Sequence, residues 1–362
     1  MEKLSRGSYK AKNIIAFIGI SSSILLYLLN YNSGIFALIV ADTMRSKLTA
    51  YNNFPNGPTN RTAPFGTIPV EKQTRSEQIA LIKPTFTAAA YNHAFYKFYD
   101  SYDNKVLYAI KSEKNVTRDL NLLTGKIPIS NEAYGYEVLN ITSHIRQLLP
   151  SANVTVITDG DVSEGKIFKK NCLSDPCNYY NTLILGHQEY VTQQEYDNLK
   201  KFVADGGTVV LLDGNFFYAE VKYNKAAQTV TLVKGHGWAF NGISAFPSVF
   251  ERWDKETSIW AGSNFYYWGG IHSNMIFTNI PFSYTHFEEQ YVTNPKVKIF
   301  WNYGAVYPGY KLDGYPKPTI VVYELNYQKG KVICFSIFSD RVISNYKFLT
   351  FFDAIFLKHA LA

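Results

Sequence analysis

The sequence predicts an α/β fold: a doubly wound, mostly parallel sheet with a β-rich aromatic elaboration, preceded by one transmembrane helix. Three observations carry this expectation. Between residues 77 and 212, short β-branched runs alternate with stretches of helical periodicity. From 216 to 317 that alternation stops and the chain becomes rich in aromatic residues and glycine. Residues 13–42 carry no charged side chain before Asp42, and roughly 20 apolar residues suffice to cross a bilayer.

The head, residues 1–12, sets Lys3, Arg6, Lys10 and Lys12 against Glu2, four positive charges less one, or +3. A basic head stays on the cytoplasmic side, so the bulk of the chain is expected outside the cell membrane, behind a single-pass anchor. No small-x-small site follows the apolar run, which favours an uncleaved signal-anchor over a signal peptide. Residues 43–76 are rich in Asn, Pro, Thr and Gly and read as an extracytoplasmic stalk. Folded sequence spans 77–360, with the elaboration inside it at 216–317.

Within that domain, Gln78-Ile79-Ala80-Leu81-Ile82 predicts a strand ending at Lys83-Pro84. A helix is expected over 132–149, then a strand over 154–158 stopped by Asp159-Gly160-Asp161. The apolar run Thr182-Leu183-Ile184-Leu185 is broken by Gly186. Next comes a helix over 192–204, with Thr192 as cap, Glu195 placed as in a capping box, and Tyr196, Leu199, Phe202 and Val203 at helical spacing. Gly206-Gly207 stops it, and a strand over 208–212 closes at Asp213-Gly214-Asn215. Residues 216–223 and 228–233 alternate as a hairpin. The core resumes over 319–325 and 331–338, joined by a turn at Asn326–Gly330, and a last helix spans 342–358.

Composition excludes some functions. The formal charge is +7, nearly half of it in the head, and no Lys/Arg block follows, so a nucleic-acid partner is not expected. With 28 Tyr and 25 Phe the chain is not a disordered one. Sequons at Asn60, Asn115, Asn140 and Asn153 suit an extracellular glycoprotein. Of the three cysteines, Cys172 and Cys177 flank Leu-Ser-Asp-Pro and suit a local disulfide, while Cys334 reads as a buried strand residue. The Tyr-, Asn- and Ile-rich style is compatible with an archaeal cell surface.

The chemistry concentrates in His187-Gln188-Glu189-Tyr190. A strand, a polar turn and a helix in that order put these residues at the carboxyl edge of a parallel sheet, where open α/β folds bind ligands. His187 and Glu189 are the candidate acid and base. Tyr91, Asn92 and Asn215 are candidates to line the same edge, and Asp213 reads as a turn former. His236 and His272, set among Gly and Trp, pair at no metal-ligand spacing. No Gly-x-Ser-x-Gly motif supports a serine triad.

Several landmarks resemble the large subunit of N,N-dimethylformamidase and its relatives. These are Pro84-Thr85 with Ala90-Tyr91-Asn92, Thr158-Asp159-Gly160-Asp161, Gly186-His187-Gln188-Glu189-Tyr190, Gly206-Gly207, Gly214-Asn215 and Gly330-Lys331-Val332. The resemblance spans about 77–360 and implies a class I glutamine amidotransferase-like fold. It also implies a mononuclear iron held by two tyrosines and a glutamate. Tyr190 matches the motif tyrosine; Tyr136, or Tyr134, is the candidate second tyrosine; Glu251 and Glu256 match no local pattern. Relatives carry Trp where Val191 stands, and Gly-Gly where His93-Ala94 follows. Gly214 and Asn215 occupy the position of an amidotransferase nucleophile, which excludes a cysteine mechanism. Two readings follow: a non-catalytic surface or envelope protein with a binding or assembly role, or an iron-dependent hydrolase of small amide C–N bonds. The altered flanks lean to the first. A surface protein or a second subunit is the expected partner.

Overall fold

Ile79, Ala80, Leu81 and Ile82 are all fully buried, so β1 (Gln78–Lys83) is covered on both faces, as central parallel strands are. The same holds for β3 (Thr182–Leu185) and β5 (Thr208–Leu211). These strands come from a computed structural model that describes residues 77–91, 125–129, 135–170, 177–235, 238–239, 244–245, 252–265, 276–284, 289–306, 320–337 and 342–361. The described residues all lie within one compact unit, Ile68–Ala362.

With β2 (Asn153–Thr158), β4 (Tyr190–Val191), β6 (Ala219–Asn224), β7 (Thr229–Gly235), β8 (Lys298–Asn302), β9 (Val321–Tyr327) and β10 (Gly330–Cys334), two sheets form. The larger has seven strands in the order β8-β9-β10-β5-β3-β1-β2. Its parallel strands β2, β1, β3, β5 and β10 lie in the doubly wound order 2-1-3-4-5, counted along the chain. The chain therefore leaves β1 in one direction and β3 in the other, and a crevice opens between their carboxyl ends. The second sheet runs through β7, β6 and β4, with β4 parallel to β6.

Helices α1 (Thr85–Ala90), α2 (Thr142–Leu148), α3 (Asp159–Ser163), α4 (Gln193–Ala204), α5 (Asp254–Trp260) and α6 (Tyr346–Ile355) complete the frame. α4 buries Tyr196, Leu199, Phe202 and Val203, the residues whose spacing predicts it. Burying such a side chain is worth about 1.5–3 kcal/mol. Behind them stand Trp253, stacked on Tyr196 at 4.3 Å, and Trp260.

The fold expected from the sequence is corrected on two counts. The main sheet is mixed: the tight turn at Gln328 and Lys329 reverses the chain, so β9 pairs antiparallel with β10, and β8 antiparallel with β9. Among the described residues no helix is long and apolar enough to cross a membrane, so the transmembrane helix is not supported. The segment assigned to it, 13–42, lies outside the described residues. α4 has 12 residues, about 18 Å of helix, short of the ~30 Å of a hydrocarbon core. The β-rich elaboration is present, and it also contains α5. The 132–149 helix divides into a 3-10 turn (Tyr136–Ile141) and α2.

Cys177 is disulfide-bonded, and Cys334 is free and buried. Asn140 and Asn153 are exposed. Asn60, Asn92, Asn115, Tyr134, Cys172, His236, Glu251 and His272 lie outside the described residues.

Candidate functional site

Four short segments build the site at the β1/β3 crevice. After β1, Pro84 starts α1 at once, and Tyr91 ends it, its N–H bonded to Thr87 O at 2.9 Å. Thr87 Oγ1 accepts the Tyr190 N–H at 3.1 Å, tying α1 to the turn after β3. That turn begins at Gly186, where a Cβ would stand 2.6 Å from Val138 Cβ, so no larger residue fits without movement. Gly135, at φ +74°, passes close to His187 in the left-handed region that suits glycine. The turn is clamped by the segment after β5: Phe217 N donates to Gln188 O and Tyr218 N to Glu189 O, each at 2.9 Å. Phe217 holds φ 60°, a costly conformation for a bulky residue and one that clusters at functional sites.

β3 and β5 pair in parallel with Leu185 opposite Leu211. Carried two residues further, that register sets His187 against Asp213, and two further still, Glu189 against Asn215. Asp213 uses Oδ1 to accept the Asn215 N–H at 2.7 Å, and its Oδ2 faces His187 Nδ1 at 3.3 Å. On the other side of the ring, His187 Nε2 lies 3.1 Å from the Tyr91 hydroxyl and 3.3 Å from Glu189 Oε2. Tyr91 donates its hydroxyl to the same Glu189 oxygen, and Asn215 Nδ2 donates to it at 3.3 Å. His187, Glu189 and Asn215 are each 1 % exposed, and Tyr91 is half-buried.

Burial alone would lower the His187 pKa, but the charge and hydrogen bond of Asp213, followed by those of Glu189, outweigh it. The ring is held well above its ordinary value of 6.5, which favours the form that donates from both nitrogens.

A second polar tier underlies the first. Asp159 is fully buried and accepts hydrogen bonds from the Thr85 hydroxyl, from Phe86 N at 2.6 Å and from Gly160 N at 2.9 Å. Burial pushes its carboxyl up to about 7. Burial and Asp159 together raise the Tyr136 phenol to about 12, and the Lys83 ammonium stands 4.4 Å from the centre of the Tyr136 ring. Gln188 turns its side chain away from the site, and its Nε2 donates to Glu195 Oε1 at 2.8 Å. Thr192 caps α4 by accepting the Glu195 N–H, as expected, and the Glu195 carboxyl accepts from Gln188 and from the Thr192 N–H.

The structure thus brings His187 and Glu189 together with Tyr91 and Asn215. Tyr190 flanks them, buried, its ring centre 6.1 Å from that of Tyr91 and edge-on. Tyr136 belongs to the lower tier beside Asp159. Asp213, read from sequence as a turn former, is also the partner of His187 Nδ1. Its position just past the end of the next parallel strand was the available signal.

The iron implied by the resemblance meets a donor set that fits in kind. The phenol of Tyr91 and the carboxylate of Glu189 are hard oxygen ligands converging on one point, with the His187 imidazole beside them. Among the described residues no three His, Cys, Asp or Glu are placed to hold a metal, so such an ion would take phenol oxygen as well as carboxylate.

Among solved structures the chain is similar to a catalytic mutant of Gan42B, a GH42 beta-galactosidase from G. stearothermophilus, at 14 % identity and a TM-score of 0.35, covering 78 % of this chain and 30 % of that one. It is also similar to the exo-beta-1,4-mannosidase Op5Man5 from Opitutaceae bacterium strain TAV5, at 11 % and 0.37, covering 78 % and 35 %. A thua-like protein from Bacteroides uniformis gives 12 % and 0.32, covering 80 % and 94 %. The chain spans about a third of the length of the first two, and likenesses this low carry no argument. No curated protein matches. None of these comparisons reaches the glutamine amidotransferase fold that the resemblance implies. The family model for "N,N-dimethylformamidase beta subunit-like, C-terminal" matches residues 30–275, more than half of the 362 residues and all of the Tyr91–His187–Glu189–Asp213–Asn215 cluster, and the chain belongs to that family.

Proposed function

We propose that this protein hydrolyses the C–N bond of small amides at the Tyr91–His187–Glu189 centre. One observation carries the reading: a phenol, a carboxylate oxygen and an imidazole nitrogen meet within 3.3 Å at the crevice between β1 and β3. Burying charged groups costs stability unless they are paired and hydrogen-bonded, and perturbed titratable groups collect at active sites.

In this reading Tyr91 and Glu189 are the residues that would hold an iron ion. Bound there, the ion would supply Lewis-acid polarisation of the amide carbonyl. The chain's own residues do the rest. Asp213 fixes the imidazole through Nδ1, so that Nε2 points at the reacting centre. His187 Nε2–H is placed to protonate the departing amine nitrogen, the step that an amide leaving group needs. Asn215 donates to Glu189 Oε2 and holds that carboxylate in place. The burial of His187, Glu189 and Asn215 excludes bulk water, which strengthens each of these electrostatic contacts.

The closure of the cluster also favours a second reading, a non-catalytic binding or assembly role, because a sealed polar network can serve the fold alone. Metal analysis and visible spectroscopy of the purified full chain and its Tyr91→Phe variant separate the two. The hydrolase reading expects near-stoichiometric iron, a tyrosinate charge-transfer band that the variant loses, and amine release from N,N-dimethylformamide or a related small amide. A colourless, metal-free protein, inert to amides after loading with iron, would leave only the non-catalytic role.

A further inference from the structure

Gln188 and Glu195 are each completely buried, and they are joined by one hydrogen bond, Gln188 Nε2 to Glu195 Oε1 at 2.8 Å. The remaining oxygen of each residue, Gln188 Oε1 and Glu195 Oε2, is buried and has no hydrogen-bond partner. Both are acceptors if Glu195 is ionised, so the pair would leave two oxygens unsatisfied inside the core, each at a substantial desolvation cost. A single proton on Glu195 Oε2 turns that oxygen into a donor, and the acceptor it needs is the Gln188 oxygen.

We propose that Glu195 is a neutral carboxylic acid that clamps the Gln188 amide in a paired, two-hydrogen-bond arrangement, and that this clamp is what positions the His187-x-Glu189 turn. Gln188 is the middle residue of that turn. With its side chain anchored downward to the first turn of α4, His187 and Glu189 are both directed into the site above. Glu195 is therefore a positioning residue and touches no reacting atom.

The surroundings support the neutral form. The charged group that α3 places against Glu195 is Asp159, and like charges this close do not both ionise. Asp159 has three donors to hold its charge and Glu195 has two, Gln188 and the Thr192 N–H, so Asp159 is the better anion and Glu195 the acid. Burial, followed by the Asp159 charge, drives the Glu195 carboxyl well above its usual range. The other charged side chain of α3, Asp161, pairs at the surface with Lys166, just beyond the helix end. On the far side of Gln188 stand His187 and Glu189, bonded to each other.

The test uses the full chain with ¹³C-labelled glutamate carboxyls, the Glu195 signal being assigned by its loss in Glu195→Gln. The clamp expects a wild-type Glu195 carboxyl carbon at the protonated position at neutral pH. It expects Glu195→Gln, whose amide can remake both bonds, to keep the wild-type His187 ring shifts and to melt no lower than the wild type. Glu195→Ala should move those ring shifts and lower the melting temperature. A Glu195 carboxyl at the ionised position would overturn the proposal, and so would a Glu195→Gln variant that falls as far as Glu195→Ala. Unmoved His187 shifts in a folded Glu195→Ala would overturn the positioning role. The wild-type carboxyl measurement needs no variant, so a Glu195→Ala that fails to fold leaves the test intact. None of these readouts is an activity, and a failed amide screen does not bear on them.

Discussion

His187 is held at both ring nitrogens, and the two holds differ in kind. Asp213 is fixed, because its other oxygen is occupied by the Asn215 N–H and its backbone follows directly on the end of β5. Glu189 shares its oxygen among Tyr91, Asn215 and His187, so that hold is divided. Removing the fixed one should matter more than its 3.3 Å separation suggests, since the ring is buried and no water replaces the carboxylate. Asp213→Asn is expected to cost about 1–3 kcal/mol of stability in urea unfolding, with the slope unchanged. A double-mutant cycle with His187→Asn should return a coupling of about 0.5–3 kcal/mol. Strict additivity of the two substitutions would mean the pair is a near neighbour and nothing more. The role of Asp213 was hidden in the sequence because Asp-Gly-Asn is ordinary turn chemistry. Only the register between β3 and β5 shows that this turn stands beside His187.

The element that sets the geometry is the turn from β3 into α4. Its ends were legible, because each rests on local periodicity. β3 covers 182–185 where the apolar run predicts it, and α4 covers 193–204 behind the Thr192 cap. Its middle was not legible, since Tyr91 meets Glu189 across 98 residues and Val138 packs against Gly186 from a 3-10 turn. Gly186→Ala should therefore act through packing. The new Cβ would stand 2.6 Å from Val138 Cβ, both in a sealed core, and overpacking of this kind costs about 1–3 kcal/mol. Trimming the obstacle should relieve it. The double variant Gly186→Ala, Val138→Ala is expected to be less destabilised than the sum of the two singles, by about 0.5–3 kcal/mol. Additive losses in chemical denaturation would show that Val138 is not what forbids a side chain at 186.

At the scale of the whole molecule, the parallel core could be read from sequence because each of its strands is followed by its own helix or turn signal. At the antiparallel edge the turn between β9 and β10 could also be read, but β8 could not, since it follows a long stretch without regular periodicity and joins β9 only through non-local pairing. The buried charge was equally out of sight: Thr85, Asp159, Gln188 and Glu195 meet only when α1, α3 and α4 converge. That charge governs how the protein should respond to pH. Asp159 rises from 3.8 to about 7, Glu195 lies well above 4.5, and His187 lies well above 6.5. Each therefore holds a proton in the folded chain at pH values where the unfolded chain has released it. Stability from such groups is complete below the unfolded pKa and is lost as pH rises through the folded one. Asp161 works in the opposite sense: despite partial burial, Lys166 and Thr158 hold its carboxyl below 3.8, so its contribution is lost only as pH falls through that lowered value. Around neutrality the first three act together, and each extra folded-state proton changes stability by about 1.4 kcal/mol per pH unit. Urea unfolding followed from about pH 5 to about pH 8 should show stability falling with pH, with its maximum on the acid side of neutral. The Glu195→Gln variant should fall less steeply, because one of the three protons is gone from the balance. A wild-type profile that is flat or rises toward pH 8 would mean that these buried groups keep their ordinary protonation in the folded protein, and the two-tiered charge network would not exist as described.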